Sequence, residues 1–167
     1  MPDNYMTLDE MNSIEFDSTH LWHINFPGAP DPFNKWFPAQ SCDDDIYNLK
    51  SDSFDVGYTD IEIPTGEASK NIHLECLDAA DCRLEKWLDE WVHGTVIVDG
   101  GDGAIGPNYL DKMCRKLNII KNDYQLNPVY KKQYTVAPTG TLKANRTADP
   151  NIKVLSFDLK IYAVRNL

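Results

Sequence analysis

The chain has 167 residues, a length that suits one domain with a sizeable core. Its formal net charge of −10 at pH 7 argues against a nucleic-acid-binding surface, because phosphate contacts need clustered lysine and arginine. No stretch approaches the roughly 18 apolar residues of a membrane span, and no signal peptide is visible. The cysteines, of which there are 4, are too few for a disulfide scaffold. These properties predict a soluble protein made in the cytoplasm, with reduced cysteines.

The first third of the chain predicts an acidic arm, a short strand and an acidic edge. Residues 1–18 suit either an arm that orders on a partner or a frayed terminus. Alternation from His20 to Phe26 predicts a strand, and Lys35 to Phe37 is expected to return beside it as the arm of a hairpin. Residues 42–55 are rich in aspartate but lack the ligand spacing of an EF-hand loop. We therefore expect a solvated acidic edge there in place of a calcium site.

The segment with the clearest periodicity predicts an amphipathic helix over residues 79–93. Its apolar stripe has the helical spacing i, i+3, i+4 and i+7, and consists of Leu84, Trp87, Leu88 and Trp91. Asp78 is placed to cap the first turn, and Gly94 marks the expected end. A stripe with two tryptophans needs a large apolar partner, so we expect the helix to pack on a sheet.

Four further segments predict strands. They are residues 58–64, 70–77, 130–136 and 153–164. Pro64-Thr65-Gly66 is expected to end the first, and residues 137–140 the third. The last segment alternates most clearly and is expected to close a sheet. These strands and the single helix predict a mainly β fold: an antiparallel barrel or sandwich with one flanking α-helix.

A glycine-rich segment matches the dinucleotide-binding fingerprint. Gly101 to Gly106 satisfies G-x-G-x-x-G after a short apolar run, and Asp123 follows at a suitable distance. However, Pro107 removes an amide from the turn that should face pyrophosphate, and the segment after it, residues 108–117, is short and polar. The chain also lacks the repeated strand-and-helix units of a doubly wound sheet. We favour an acidic loop leading into a short helix, with a small nucleotide-binding protein as the alternative function.

No other cluster predicts catalysis, a metal site or a cofactor. His20 and His23 would lie on opposite faces of a strand, so they cannot share a metal. Cys76 and Cys82 belong to no C-x-x-C pair, which favours free cysteines over a zinc site. The motifs G-x-S-x-G and H-E-x-x-H are absent. We therefore predict a protein without enzyme activity, with no catalytic, cofactor-binding or metal-binding residues.

The order of the parts adds a family resemblance. The segments that carry it are Leu21 to Phe26, Ile61 to Pro64, the strand Lys70 to Leu77 with the R-L-x-x-W-L-x-x-W helix after it, V-A-P-T-G at Val136 to Gly140, and S-F-D-L-K-I-Y at Ser156 to Tyr162. In this order they resemble the tail-tube protein family of contractile-tailed bacteriophages. Relatives of that family include baseplate tube-initiator proteins and the type VI secretion tube protein. The resemblance covers roughly residues 20–93 and 128–165.

The resemblance implies a structural virion protein. Its subunits would form hexameric rings that stack into a hollow tail tube, or into the tube-like part of a baseplate, with sheath or baseplate proteins as neighbours. The protein would be assembled in the host cytoplasm and would act in the tail of the virion during genome ejection. DNA would be transiting cargo only, since an acidic lumen lets it slide without binding.

The resemblance to the tail-tube family also predicts the domain organisation. We expect an acidic arm over residues 1–18 and a single tail-tube-like domain over residues 19–167. The departures from the family pattern are this acidic arm and a glycine-rich insertion near residues 99–127. Exposure and charge make three loops, residues 27–37, 43–57 and 139–151, the candidate stacking contacts between rings.

Overall fold

The computed structural model describes residues 21–99, 105–146 and 152–167. Over these residues the chain consists mainly of β-strands, with one helix of 9 residues and shorter helical turns. The strands are β1 (Trp22–Asn25), β2 (Ser41–Asp44), β3 (Leu49–Val56), β4 (Thr59–Glu67), β5 (Lys70–Leu77), β6 (Ile97–Asp99), β7 (Ile105–Pro107), β8 (Arg115–Asn122), β9 (Pro128–Ala144) and β10 (Val154–Asn166). The helices are α1 (Arg83–Trp91), continued by a π-helical turn (Val92–Val96), and α2 (Leu110–Met113).

Most of the strands form one antiparallel sheet in the order β1-β8-β9-β10-β5-β2. The sheet curls into a half-barrel, and α1 packs against its apolar side. Two hairpins, β3–β4 and β6–β7, stand apart from this sheet. The prediction of a mainly β fold with a flanking helix is therefore confirmed, with a half-barrel in place of a closed barrel.

Alternation along β5 and β10 builds the core, as the sequence predicts. The buried side chains of these strands are Ile72, Leu74, Cys76, Leu155, Phe157, Leu159 and Ile161. Each strand points these residues to one face because successive side chains alternate. The expectation that the last strand closes the sheet is wrong. β10 lies inside the sheet, with β9 on one side and β5 on the other.

The helix stripe is confirmed, whereas both predicted helix ends are wrong. Leu84, Trp87, Leu88 and Trp91 are buried, but the helix begins at Arg83 because Cys82 takes a left-handed conformation with φ of 56°. Asp78 still caps the first turn, since its carboxylate accepts the N–H of Leu84 at 3.0 Å. Gly94 does not end the helical segment, which continues as the π-helical turn to Val96.

A core strand lies inside the range predicted as the glycine-rich insertion. Residues 115–122 form β8, which pairs with both β1 and β9. Leu117, Asn118 and Ile119 of this strand are buried in succession. The helix expected over residues 108–117 is only the short α2, because the chain turns extended at Cys114 to enter β8.

Two predicted strand ends are also wrong. β4 continues through Pro64 to Glu67, and β9 continues through Pro138 and Gly140 to Ala144. In each case a shift in strand register lies close to the proline, between Lys50 and Ser51 in the first hairpin and between Ser156 and Asp158 in the second. Such irregularities accommodate a residue that has no N–H to donate.

The returning segment after β1 is confirmed as a single antiparallel bridge, in which Ile24 and Phe37 exchange two backbone hydrogen bonds of 2.9 Å. The predicted arm, residues 1–18, lies outside the described residues. The division into an arm and one domain stays a prediction. No helix in the described part of the chain is long and apolar enough to cross a membrane.

Candidate assembly surface

The β3–β4 hairpin projects from the half-barrel with both of its faces exposed. β2 leads into β3 and β4 leads into β5, so the four strands are one long hairpin whose outer half leaves the sheet. Two hydrogen bonds close its neck, from the amide of Ala68 to the carbonyl of Asn48 at 2.6 Å and from Asn48 Nδ2 to the carbonyl of Ser69 at 3.0 Å. Every residue of β3 and β4 is exposed.

The strand register gives the hairpin one apolar face and one acidic face. The cross-strand pairs of the apolar face are Asp52–Ile63, Phe54–Ile61 and Val56–Thr59. The pairs of the acidic face are Ser51–Pro64, Ser53–Glu62 and Asp55–Asp60. Facing residues share a side and successive pairs alternate, so the apolar side chains line up along one surface.

This hairpin lacks a stabilising partner within the described chain. A two-stranded ribbon is at best marginally stable in water, because neither face is covered. Phe54 is 51% exposed, and Val56, Ile61 and Ile63 beside it are exposed as well. Contiguous apolar surface of this kind marks a site of contact with another molecule. Asp55 and Asp60 face each other directly, which further weakens the isolated hairpin.

The polar face of the main sheet carries a histidine between two partners. His73 Nδ1 lies 2.7 Å from Asp158 Oδ1, and His73 Nε2 lies 3.4 Å from Ser156 Oγ. The hydrogen bond with Asp158 raises the pKa of His73, against the smaller lowering effect of desolvation. Further raising effects come from the charges of Asp158, Glu75 and Asp43.

The three side chains are connected in the order of a Ser-His-Asp triad, but the backbone around the serine does not resemble that of a serine hydrolase. Ser156 is paired on both sides, with Glu75 of β5 and Lys143 of β9, so its backbone is used within the sheet. A serine hydrolase needs amides aimed at the oxyanion beside its nucleophile. We therefore interpret the cluster as polar packing between neighbouring strands.

A second cluster brings together the side chains of Asp78, Cys82 and Glu85 in ligand-like geometry. The ammonium group of Lys153 fills it, at 3.4 Å from Asp78 Oδ2 and 3.5 Å from Cys82 Sγ, and it also contacts Glu85 Oε2. A lysine at the centre supplies the positive charge that a metal ion would otherwise bring. The cluster joins the start of α1 to the start of β10.

The cysteines are free, as the sequence predicts, and Cys76 is buried. Burial raises the pKa of Cys76 to about 12 and that of Cys42 to about 12. Both thiols are therefore protonated at neutral pH, which makes them weak nucleophiles and weak metal ligands.

The described residues that flank the candidate nucleotide loop do not have the local structure that its motif requires. Gly106 lies in β7, which pairs antiparallel with β6 through Val98. A dinucleotide fingerprint requires a strand that turns directly into a long helix. Here the next helix is α2, which begins at Leu110 and has 4 residues. Residues 100–104 lie outside the described chain.

Comparisons with solved structures match nearly the whole chain. A chain of the sheath–tube complex of an extracellular contractile injection system, PVC, has a TM-score of 0.61 at 11% identity, over 98% of this chain and 99% of that one. The tube-terminating cap of the anti-feeding prophage, AFP, has a TM-score of 0.64 at 14% identity, over 93% of each chain. A chain of the PVC sheath/tube terminator has a TM-score of 0.63 at 11% identity, over 93% of this chain and 99% of that one.

The chain therefore shares its fold with chains of contractile injection systems and of a phage-like tube cap. This confirms at the level of fold the family resemblance that the order of parts predicts. A chain of the sixfold-symmetrised AFP baseplate shares the fold too, with a TM-score of 0.57 at 11% identity, over 92% of this chain and 97% of that one. By sequence, no protein-family model and no curated protein matches the chain.

Within this shared fold, the three predicted stacking loops differ in structure and exposure. Residues 43–57 include the end of β2 and all of β3, so this segment belongs to the exposed hairpin. In residues 27–37, Ala29 and Phe33 are buried against the core. Of the segment 139–151, residues 139–144 form the end of β9, and residues 147–151 lie outside the described chain. The hairpin is therefore the best exposed of the candidate contacts.

The amphipathic nature of this hairpin was not predicted from the sequence. Phe54 and Val56 alternate with serine and aspartate, and Ile61 and Ile63 alternate with acidic residues, so the signal was present. Because residues 42–55 are rich in aspartate, this segment was predicted to be a solvated acidic edge. The His73–Asp158 contact joins residues 85 positions apart in sequence, and only the register of β5 against β10 brings them together.

Proposed function

We propose that this chain is a structural, non-enzymatic subunit of a phage-tail-like particle. It forms hexameric rings that belong to a tail tube or to the tube-like part of a baseplate, next to sheath or baseplate proteins. The proposal is supported by the fold shared with chains of tube-containing complexes, a tube-terminating cap and a baseplate. Assembly in the host cytoplasm and action in the virion tail belong to the same proposal.

The observation that carries the proposal is the exposed β3–β4 hairpin. An apolar surface that includes Phe54 and Ile61 costs free energy in water, at about 25 cal/mol per Å² of apolar area. A subunit that buries this surface against a neighbour recovers that free energy on assembly. The acidic face is on the other side of the same strands, so it can stay in water while the apolar face is covered.

The polar face of the sheet suits the wall of a conduit. Asp43, Glu75 and Asp158 lie on three neighbouring strands of this face, and the whole chain carries a net charge of −10. The same face also carries Lys116, Lys143, Lys160 and Arg165, so repulsion of a nucleic acid backbone depends on the net negative charge of the whole subunit, repeated around a ring. This excess of negative charge lets a genome pass during ejection without being held.

The test of this proposal is direct imaging of assembly. We expect the purified wild-type protein to form rings or tubes in negative-stain micrographs, with sixfold symmetry in class averages. Phe54→Asp should abolish these assemblies while the subunit keeps its melting temperature, because the side chain is exposed in the monomer. Ser53→Asp is the matched control: it adds the same charge one residue away, on the acidic face.

Two results would contradict the proposal. One is a wild-type protein that stays monomeric at high concentration in sedimentation experiments. The other is stoichiometric binding of NAD or ATP in calorimetry, which would favour the alternative function of a nucleotide-binding protein using Gly101 to Gly106.

A further inference from the structure

The second half of β10 has an open edge on the side of β5. The last pair between these strands is Ile161 with Lys70, whereas β10 continues to Asn166. On its other side β10 stays paired with β9, up to Asn166 opposite Lys132. Within the described residues, the backbone of residues 162–166 therefore has strand partners on one side only.

The edge is open because the outer hairpin turns away from it. Lys70 begins β5, and the residues before it, 67–69, lead out into β4. A groove of about 570 Å³ remains between this departing segment and β10. One wall consists of residues 67–70, and the other consists of residues 160–164. An unpaired strand edge next to a groove is a template for the addition of another strand.

The two faces of β10 at this edge differ in polarity. Val164 pairs with the buried Tyr134, so it lies on the core side of the sheet. Arg165 pairs with Gln133 on the opposite side, and Lys160 lies on that polar side as well, with its ammonium 5.7 Å from the ring centre of Tyr162. The edge thus has an apolar side and a basic side.

The β3–β4 hairpin has the complementary polarity. A hairpin added to this edge would continue the apolar side of β10 with Phe54 and Ile61, and would set Asp60 and Glu62 beside Lys160 and Arg165. None of these charged residues makes an ion pair within the described residues. Opposite charges on neighbouring strands stabilise strand pairing, whereas like charges oppose it.

We propose that the β3–β4 hairpin of a second copy of this chain adds to the open edge of β10 at residues 162–166. The interface is head-to-tail, because the hairpin and the edge are different surfaces of each copy. Repetition of such a contact generates a closed ring or a filament. This inference rests on the proposed assembly function and names the surfaces that meet.

The test exchanges charges between the two surfaces. One double variant, Lys160→Glu with Arg165→Glu, makes the edge acidic like the hairpin. The other, Asp60→Lys with Glu62→Lys, makes the hairpin basic like the edge. Each variant alone should lose its assemblies, whereas an equimolar mixture should regain them, since every edge then meets a hairpin of opposite charge. A ring of six can alternate the two variants around its circumference.

A matched control and a second measurement accompany the exchange. Lys116→Glu with Lys143→Glu reverses the same number of charges on the polar face, away from the β10 edge, and should leave assembly intact. Circular dichroism establishes that each variant folds. In hydrogen exchange on wild-type protein, the amides of residues 162–166 that point away from β9 should exchange more slowly in assemblies than in monomers.

Each remaining outcome overturns the inference in a distinguishable way. If the wild type assembles and the two double variants assemble equally well, the β10 edge is not the contact, while the proposed function stands. If both variants lose assembly and the mixture does not regain it, the two surfaces do not meet. Protection, already in the monomer, of those amides of residues 162–166 that point away from β9 would mean that the chain's own hairpin occupies the edge. A wild type that never assembles contradicts the interface and the proposed function together.

Discussion

The hydroxyl of Tyr134 donates a hydrogen bond of 2.5 Å to Asp44 Oδ2 across the interior of the half-barrel. Tyr134 belongs to β9 and Asp44 to the edge strand β2, and two strands of the sheet lie between them. Tyr134 is only 2% exposed. The bond therefore ties the curled sheet together at the end from which the β3–β4 hairpin departs. Burial is the largest cause that raises the pKa of Tyr134, followed by the hydrogen bond to Asp44.

Tyr134→Phe should lower the free energy of unfolding by about 1–3 kcal/mol, because Asp44 loses a partner in a partly buried position. The measurement is urea denaturation at neutral pH, with Tyr162→Phe at an exposed tyrosine as the control. The wild type should also lose stability as the pH rises above 10.0, the ordinary pKa of tyrosine. There the unfolded chain releases the phenolic proton while the folded chain retains it. A Tyr134→Phe variant as stable as the wild type would show that the bond does not hold the sheet.

The pKa of His73 should fall when Asp158 is replaced. In the wild type this pKa is raised above 6.5, chiefly by the hydrogen bond to Asp158, so Asp158→Asn should move it down towards that value. NMR titration of the imidazole resonances measures the shift, and Asp111→Asn on α2 is the control. An unchanged His73 titration in Asp158→Asn would contradict the contact.

The same contact has a small effect on stability with a definite sign. A raised pKa in the folded state means that the contribution is fully present below pH 6.5 and is lost as the pH rises through the folded value. Because the His73 side chain is 39% exposed, solvent screening limits it to a few tenths of a kcal/mol. Comparing unfolding at pH 5.5 and pH 8 in wild type and Asp158→Asn isolates this difference.

Trp87→Ala should cost about 3–5 kcal/mol of subunit stability, through the loss of a large buried side chain. Its ring lies 5.4 Å from that of Phe26 and 5.5 Å from that of Trp91, and the Arg115 guanidinium stacks over both tryptophans. Denaturant unfolding measures the loss, and Trp36→Ala at an exposed tryptophan should cost much less. Loss of assembly with full subunit stability would instead place the tryptophan stripe at an interface.

The sequence predicted the elements in which local pattern and tertiary burial agree. β5, β10 and the α1 stripe each have one buried face, so periodicity identifies both the element and its orientation. β8 escaped prediction because Asn118 is buried between apolar neighbours. Its amide group donates to Asn25 Oδ1 at 2.8 Å and accepts from Gln133 Nε2 at 2.9 Å, which no local pattern reveals.

The candidate assembly surface was only partly predictable for a different reason. Alternation in the β3–β4 hairpin indicates an apolar face, but the sequence of one chain does not identify the molecule that this face contacts. The open edge of β10 depends on where a distant strand begins, at Lys70, and thus on tertiary pairing. Its local sequence, from Tyr162 to Asn166, looks like any other part of a paired strand.

The capping role of Asp78 gives a graded prediction for helix α1. Its carboxylate accepts the N–H of Leu84, and its side chain is fully buried beside the Lys153 ammonium. Asp78→Ala removes both the cap and the charge partner, so it should cost about 1–2 kcal/mol, the usual range for a lost cap. Asp78→Asn keeps an oxygen that can cap but loses the charge, and should therefore be intermediate. The measurement is thermal unfolding followed by circular dichroism at 222 nm, the wavelength of the helical signal.

Asp81→Ala is the matched control for this series, since Asp81 is exposed and bonds Arg83 only at the surface. It should change the melting temperature little. If Asp78→Asn were as damaging as Asp78→Ala, the ion pair with Lys153 would dominate. If Asp78→Asn matched the wild type, the cap alone would fix the start of α1. Both limits separate the two contacts, because the amide keeps one oxygen that can accept the N–H of Leu84 and replaces the oxygen beside Lys153 with an NH2 group.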